Sequence, residues 1–376
     1  MGVDMEILAL LCIVLIIIWL QKNLVARYIF HNLSYNCSFS KADAFEGDEI
    51  QLTEIVHNNK PLPLQWLKVE IYTSKWLSFA NTKSVIAQES RFVTSGYSLG
   101  KYQKTTRIWK VKCQKRGVYK TENVTLVGGD FLGVLTHSIP TKVELELVVY
   151  PGTVCLEEIL VSAERIMGET VVRRWFIDDP FFVSGARKYT PGDPLKRIHW
   201  MATARQGSLM VRNYDFTAQR DVQVILNIQS MEYGPTIVVH KEIIELGIRI
   251  AATIFERYTD SGIPIGLITN GCTPDYIDGY LHTVSSSGAM HLTALLTTLA
   301  QLELKKTLEF EDCLDNLLTH VVGSEAVIIT AFLSNSLCNR INRLKMKCDR
   351  VKVILLDRDY NKGCLDNDIE LLLVEL

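Results

Sequence analysis

His199 is the side chain in this sequence best suited to moving a proton, and Asp193, six residues before it, could orient its imidazole. Both sit in the stretch Gly185 to Asp215, GARKYTPGDPLKRIHWMATARQGSLMVRNYD. It crowds six basic residues, Arg187, Lys188, Lys196, Arg197, Arg205 and Arg212, around one PGD turn and one HW pair. Three kinds of chemistry fit such a segment. A histidine–aspartate pair could serve a hydrolase. Six cations against Asp193 and Asp215, with Arg173 and Arg174 just upstream, could neutralise phosphates, although nucleic-acid binding calls for interleaved aromatics and only Tyr189, Trp200 and Tyr214 are at hand. A third reading is structural: Arg187, Arg197 and Arg205 pair with Asp193 or with carboxylates further along, forming a charged clasp that also shapes a docking face. In that reading His199 is hydrogen-bonded and silent, and His199 and Trp200 plug a junction between domains. We favour the clasp over the active site, and nucleic acid is disfavoured.

The elements that must position this segment follow from composition and periodicity. The chain has 376 residues, a formal net charge of −2 and 48% hydrophobic residues, enough for more than one core. Residues 7 to 20, ILALLCIVLIIIWL, are uninterruptedly apolar. As a helix they would span roughly 21 Å at about 1.5 Å per residue, short of the roughly 30 Å hydrocarbon core unless the flanks help. Asp4 and Glu6, with no basic residue before the run, argue against a signal peptide. A single membrane anchor within residues 1–30 is therefore expected, and Lys22 and Arg27 behind it place the remainder in the cytoplasm. Nine scattered cysteines without paired spacing read as reduced, buried thiols.

From about 40 to 150 the period is two. Leu67, Val69 and Ile71 alternate with polar residues, as do Trp109, Val111 and Cys113, and Val143, Leu145, Leu147 and Val149. Turn chemistry at HNNKP, KRG and GGD separates these runs, and an immunoglobulin-like antiparallel β-sandwich is expected. A connecting segment, 151–220, carries the PGD and RIHW elements. Beyond 221 short apolar runs, VQVILNI, IPIGLIT, EAVIITA and VKVILL, alternate with helical stripes. Ile243, Gly247, Ile250 and Ile254 make one stripe; Leu292, Leu295, Leu296, Leu299 and Leu302 make another. Helical stretches are also expected at 309–321 and 335–348. Such alternation predicts a doubly wound α/β domain over 221–376.

The order of anchor, sandwich, basic segment and α/β domain resembles the bacterial "domain of unknown function fifty-eight" family. The motif that carries the resemblance runs Arg187, Tyr189, Pro191, Gly192, Asp193, Arg197, Ile198, His199, Trp200, Ala204, Arg205, Leu209 and Val211, with FEGDEI at 45–50 and KRGVY at 115–119 in support. Asp130 to Val134 departs from the family's DPFGL by lacking its proline, and one apolar helix stands where many members have two. The resemblance implies a C-terminal part like a von Willebrand factor type A domain. It also implies a partner in a MoxR-type AAA ATPase, often with a transglutaminase-like membrane protein nearby, and no established enzymatic activity.

A von Willebrand type A domain holds Mg²⁺ through D-x-S-x-S after its first strand. The corresponding positions here are Asn227, Gln229 and Met231. A thioether is no ligand for a hard cation, and the missing carboxylate removes the charge that offsets the ion's dehydration. No metal or other cofactor is expected. Phosphate-loop, H-E-x-x-H and G-x-S-x-G motifs are absent as well. The sequence thus reads as a membrane-anchored interaction scaffold, with a hydrolase using His199 and Asp193 as the alternative.

Overall fold

The computed structural model describes residues 28–80, 84–129, 136–162, 183–189, 198–214, 221–318, 323–357 and 364–375, together with Leu10, Ile13 and Trp19. The chain divides into two compact units, Met1–Gly152 and Thr153–Leu376.

The first unit is built of strands: β1 (Leu33–Phe39), β2 (Asp43–Phe45), β3 (Glu49–Asn58), β4 (Leu64–Ser74), β5 (Leu77–Phe79), β6 (Ser84–Ala87), β7 (Ser90–Leu99), β8 (Lys104–Cys113), β9 (Gly117–Gly129) and β10 (Thr136–Tyr150). They form a four-stranded sheet, β1-β3-β8-β5, and a six-stranded sheet, β2-β10-β9-β4-β7-β6. Alternation along β4 sends Leu67, Val69 and Ile71 into one core with Val124, Leu126, Leu147 and Val149. Gly47, at φ +98°, allows the turn before β3, and Phe45 N–H donates to Asp48 Oδ2 across it.

A carboxylate lies among the buried polar residues of this unit. Glu54 on β3 is fully buried, and four donors converge on its carboxylate. Tyr35 OH and Ser95 Oγ donate to Oε1 at 2.9 and 3.1 Å; Tyr97 OH and Trp109 Nε1 donate to Oε2 at 2.8 and 2.5 Å. Tyr35, Glu54 and Trp109 belong to one sheet, Ser95 and Tyr97 to the other, so the carboxylate ties the two layers together. The Arg107 guanidinium lies over the Tyr97 ring, 4.4 Å from its centroid, and over Trp109.

The second unit contains α1 (Leu156–Ile159), β11 (Leu160–Ser162), β12 (Val183–Lys188), α2 (Trp200–Gln206), β13 (Met210–Tyr214), β14 (Val222–Leu226), α3 (Lys241–Asp260), β15 (Ile265–Thr269), β16 (Leu281–His282), α4 (Ala289–Gln301), α5 (Phe310–Leu317), β17 (Glu325–Thr330), α6 (Asn335–Lys345), β18 (Arg350–Leu355) and β19 (Glu370–Val374). A mixed seven-stranded sheet runs β11-β19-β18-β17-β14-β15-β16. Its edge strands β11 and β16 are antiparallel to their neighbours, and the inner pairings are parallel. β14 and β15 are buried along their whole length, as their largely apolar runs suggest, and Gln223 and Thr269 are buried within them. α3 lies close against this sheet because Gly247 has no side chain: a Cβ there would stand 2.8 Å from Leu356 Cδ1. The buried stripe of α3 includes Ile244, Ile248 and Ala251 beside Ile250 and Ile254, and Ile243 lies off its centre.

Three expectations are corrected. The described chain is mostly strand, gathered in three main sheets with few helices, and this overturns the architecture of a membrane helix followed by a von Willebrand-like α/β domain. The physical reason is that period-two patterning fills the first unit, while the second closes its sheet with antiparallel edges that the continuous apolar runs did not announce. Single-pass membrane placement, with soluble domains in the cytoplasm, is corrected too. Among the described residues no helix is long and apolar enough to cross a membrane. Leu10, Ile13 and Trp19 are helical and exposed, and the rest of the apolar run lies outside the described residues. Finally, not every thiol is free: Cys338 and Cys364, 26 residues apart, form a disulfide. Spacing hid the pair, because Cys338 lies on a helix and Cys364 on the connection folded back against it.

Candidate functional site

The basic segment forms a small element of its own. β12 pairs antiparallel with β13, setting Arg187 opposite Val211 and Lys188 opposite Met210. Tyr189, half-buried, donates its N–H to Leu209 O at 2.8 Å. On the other side of β13, Ile198 bridges to Val211, and His199 N–H donates to Met210 O at 2.8 Å. Burial of Ile198, Met210 and Val211 anchors this three-ply element.

His199 then starts α2. Its backbone is non-helical (φ −92°, ψ 85°), and its Nδ1 accepts the N–H of Ala202 at 3.2 Å, satisfying one of the amides that the first turn leaves open. α2 ends at Gly207 in the left-handed region, φ +66°, and Met210 N–H donates to Thr203 Oγ1 to close the turn back into β13. Nδ1 thus serves as the acceptor that caps the helix.

The remaining motif residues are spread out. Trp200 is 68% exposed, and Arg205 is exposed as well. Arg187 is placed by the backbone of β12. Pro191, Gly192, Asp193 and Arg197 lie outside the described residues, and with them the proposed clasp and the His199–Asp193 pair.

A second cluster gathers where β14, β15 and β17 end. Asn227 is fully buried; its Nδ2 donates to Thr330 Oγ1 at 3.0 Å, and its Oδ1 accepts Gln229 N–H at 2.9 Å. Gln229 faces the start of α5. Its Oε1 accepts Phe310 N–H at 2.6 Å and Asn270 Nδ2 at 3.2 Å, while its Nε2 donates to Glu309 Oε2 at 2.5 Å. Asn270, buried at the end of β15, accepts Ile228 N–H and donates to Leu308 O. Glu309 in turn accepts Lys306 Nζ at 2.6 Å, and Lys306 reaches Gly234 O. Asn227 and Gln229, two of the positions compared with a cation-binding loop, are thus engaged by neighbouring amides and hydroxyls. Met231, the third, lines a recess. Among the described residues no group of three or more His, Cys, Asp or Glu is placed to hold a metal.

Asn270, Thr330, Lys306 and Glu309 escaped the sequence reading. The available signal was a single polar residue directly after a buried apolar strand, as in GLITN and VIIT.

Beside this network the chain from Met231 to Val239 folds over the sheet edge, held by Val238 N–H to Leu304 O, Lys306 N–H to Thr236 O and His240 N–H to Ser230 Oγ. Met231, Pro235, Ile237 and Val239, with Lys306, border a small surface recess. Tyr233, Ile237 and Val239 are 86%, 61% and 50% exposed around it, a local concentration of apolar surface.

Residues 185–362 match the family described as "Protein of unknown function DUF58". The uncharacterised protein YeaD of Bacillus subtilis is 19% identical over 208 residues, covering 55% of this chain; the match spans about half of YeaD's own length, 51%. Solved structures similar to part of the chain include the CARDB domain of a Pyrococcus furiosus protein, at 10% identity over 32% of this chain and 90% of that one. A non-cellulosomal cohesin from Archaeoglobus fulgidus is similar at 12% identity over 36% and 99%. Both have a TM-score of 0.22 and carry no argument about fold or function. Over residues 185–362, which contain both the His199 element and the amide network, the chain is similar to the DUF58 family, a family of unknown function.

Proposed function

We propose that this protein is a non-enzymatic interaction scaffold whose C-terminal unit docks a protein partner at the recess bordered by Met231 and Val239. One observation carries the reading. At the strand ends the polar side chains satisfy one another, whereas the adjoining surface leaves Tyr233, Ile237 and Val239 exposed. Exposed apolar side chains gathered at one place, with a tyrosine among them, suit contact with a partner protein. The family resemblance supplies the partner we propose, a MoxR-type AAA ATPase, within complex assembly or an envelope-related process; a transglutaminase-like protein is a further candidate. The hydrolase reading through His199 and Asp193 finds no support in an imidazole whose Nδ1 caps a helix.

Titration of the purified ATPase against wild type and Ile237→Asp tests the proposal. Ile237 is exposed, so the denaturant midpoint should stay at the wild-type value while affinity falls at least about tenfold. Unchanged affinity with an unchanged midpoint removes the recess as the docking site.

A further inference from the structure

We propose that Cys338 and Cys364 form a reversible thiol–disulfide lock that controls the docking of β19, and through it β11, onto the sheet. The geometry is specific. Cys338 is fully buried in the first half of α6, in a core with Leu337, Ile341, Val353 and Leu373. Cys364 is half-buried on the connection between β18 and β19. One turn further along α6, Asn342 grips the same connection twice: its Nδ2 donates to Cys364 O, and its Oδ1 accepts Asp366 N–H, each at 3.1 Å. The connection is thus held to the helix by one covalent bond and two hydrogen bonds, all within three residues.

What depends on that hold lies immediately after it. β19 pairs parallel with β18 from Lys352↔Glu370 to Leu355↔Leu373, and on its other side antiparallel with β11 from Leu160↔Val374 to Ser162↔Leu372. Glu375 N–H donates to Ile159 O. Among the described residues β11 has no other neighbour in the sheet, so its pairing there depends on β19. Opening the bond lengthens the tether by which β19 is returned to its register, while the Asn342 bonds leave a route back.

The exchange balances with a small thiol as reductant. Its thiolate attacks Sγ of Cys364, the more accessible sulfur; the S–S bond breaks, and Cys338 leaves as a thiolate that takes a proton. A second thiolate then attacks the sulfur of the first, and Cys364 leaves as a thiolate that takes a proton, giving two protein thiols and one small-molecule disulfide. Competing exchange is suppressed in this core, because burial pushes the Cys313 thiol up to about 12 and the Cys348 thiol up to about 11.

The test uses the full chain purified without reductant. Alkylation before and after reduction, read by mass spectrometry, should label Cys338 and Cys364 only after reduction. Hydrogen exchange should then rise at least about tenfold at 160–162 and 370–374 in reduced glutathione, with 222–226 unchanged, and should recover on reoxidation. Cys364→Ser should exchange like the reduced protein whatever the redox conditions; should that variant fold poorly, the wild-type comparison still decides. Alkylation of both thiols without reduction overturns the lock. Identical exchange in both states, or reduction only on global unfolding, overturns its action on β19 and β11.

Discussion

Nδ1 of His199 accepts the backbone N–H of Ala202 at 3.2 Å, so the histidine that the sequence singled out as a candidate base caps a helix. A cap and a base respond differently to substitution. His199→Ala should lower stability by about 1 kcal/mol, and His199→Asn should restore most of it, because asparagine is among the best capping residues. Denaturant midpoints of the three proteins check this. If Asn and Ala are equally stable and both abolish a cellular function, His199 acts through chemistry instead.

The Glu54 network makes a sharper stability prediction. Glu54→Ala leaves Tyr97 OH and Trp109 Nε1 without their acceptor inside the core, and the cost should reach about 3–5 kcal/mol. Glu54→Gln should be much milder, about 1–2 kcal/mol. Its carbonyl can face Tyr97 and the donor-only indole, while its amide faces the Tyr35 and Ser95 hydroxyls, which can turn to accept. Urea unfolding of both variants separates the outcomes, and an equal loss for Gln and Ala would refute this arrangement.

Gln229 should behave as a structural linchpin. Gln229→Ala removes the acceptor of Phe310 N–H and the donor to Glu309, leaving buried groups unpaired at about 1–3 kcal/mol. Because Asn227 and Gln229 are already engaged, adding Mg²⁺ should leave the melting temperature of the wild type where it was. An ion-dependent rise in Tm would show that the network opens to bind a cation.

A pH dependence follows from Glu157. Arg257 donates to both of its carboxylate oxygens, at 2.5 and 2.7 Å, and these hydrogen bonds lower its pKa from 4.5 to about 2. A depressed carboxylate contributes stability above its unfolded pKa and loses it as pH falls through the folded value. The stability gap between wild type and Glu157→Gln should therefore be constant above about pH 5 and close progressively toward pH 2. The pair is largely exposed, so the gap should be small and shrink further with salt. A gap that widens on acidification would contradict the assignment.

Alternation and continuous apolar runs are local properties, and they made much of the strand content legible without coordinates. Leu67, Val69 and Ile71 face the core because successive side chains point to opposite faces, and the largely apolar runs VQVIL and IGLIT are buried on both faces, Gln223 and Thr269 with them. The short edge strands β11 and β16 carry no such signature; pairing partners far along the chain decide whether such segments become strands at all. Polar roles were invisible for the same reason. Nothing near Glu54 in sequence says that Tyr35, Ser95, Tyr97 and Trp109 will converge on it, and Asn227, Asn270 and Thr330 meet only because parallel pairing aligns their strand ends. His199 shows the limit most clearly. Its residue type suggested chemistry, but its place as a helix cap was decided by the helix that begins beside it, whose open amide at Ala202 lies 3.2 Å from Nδ1.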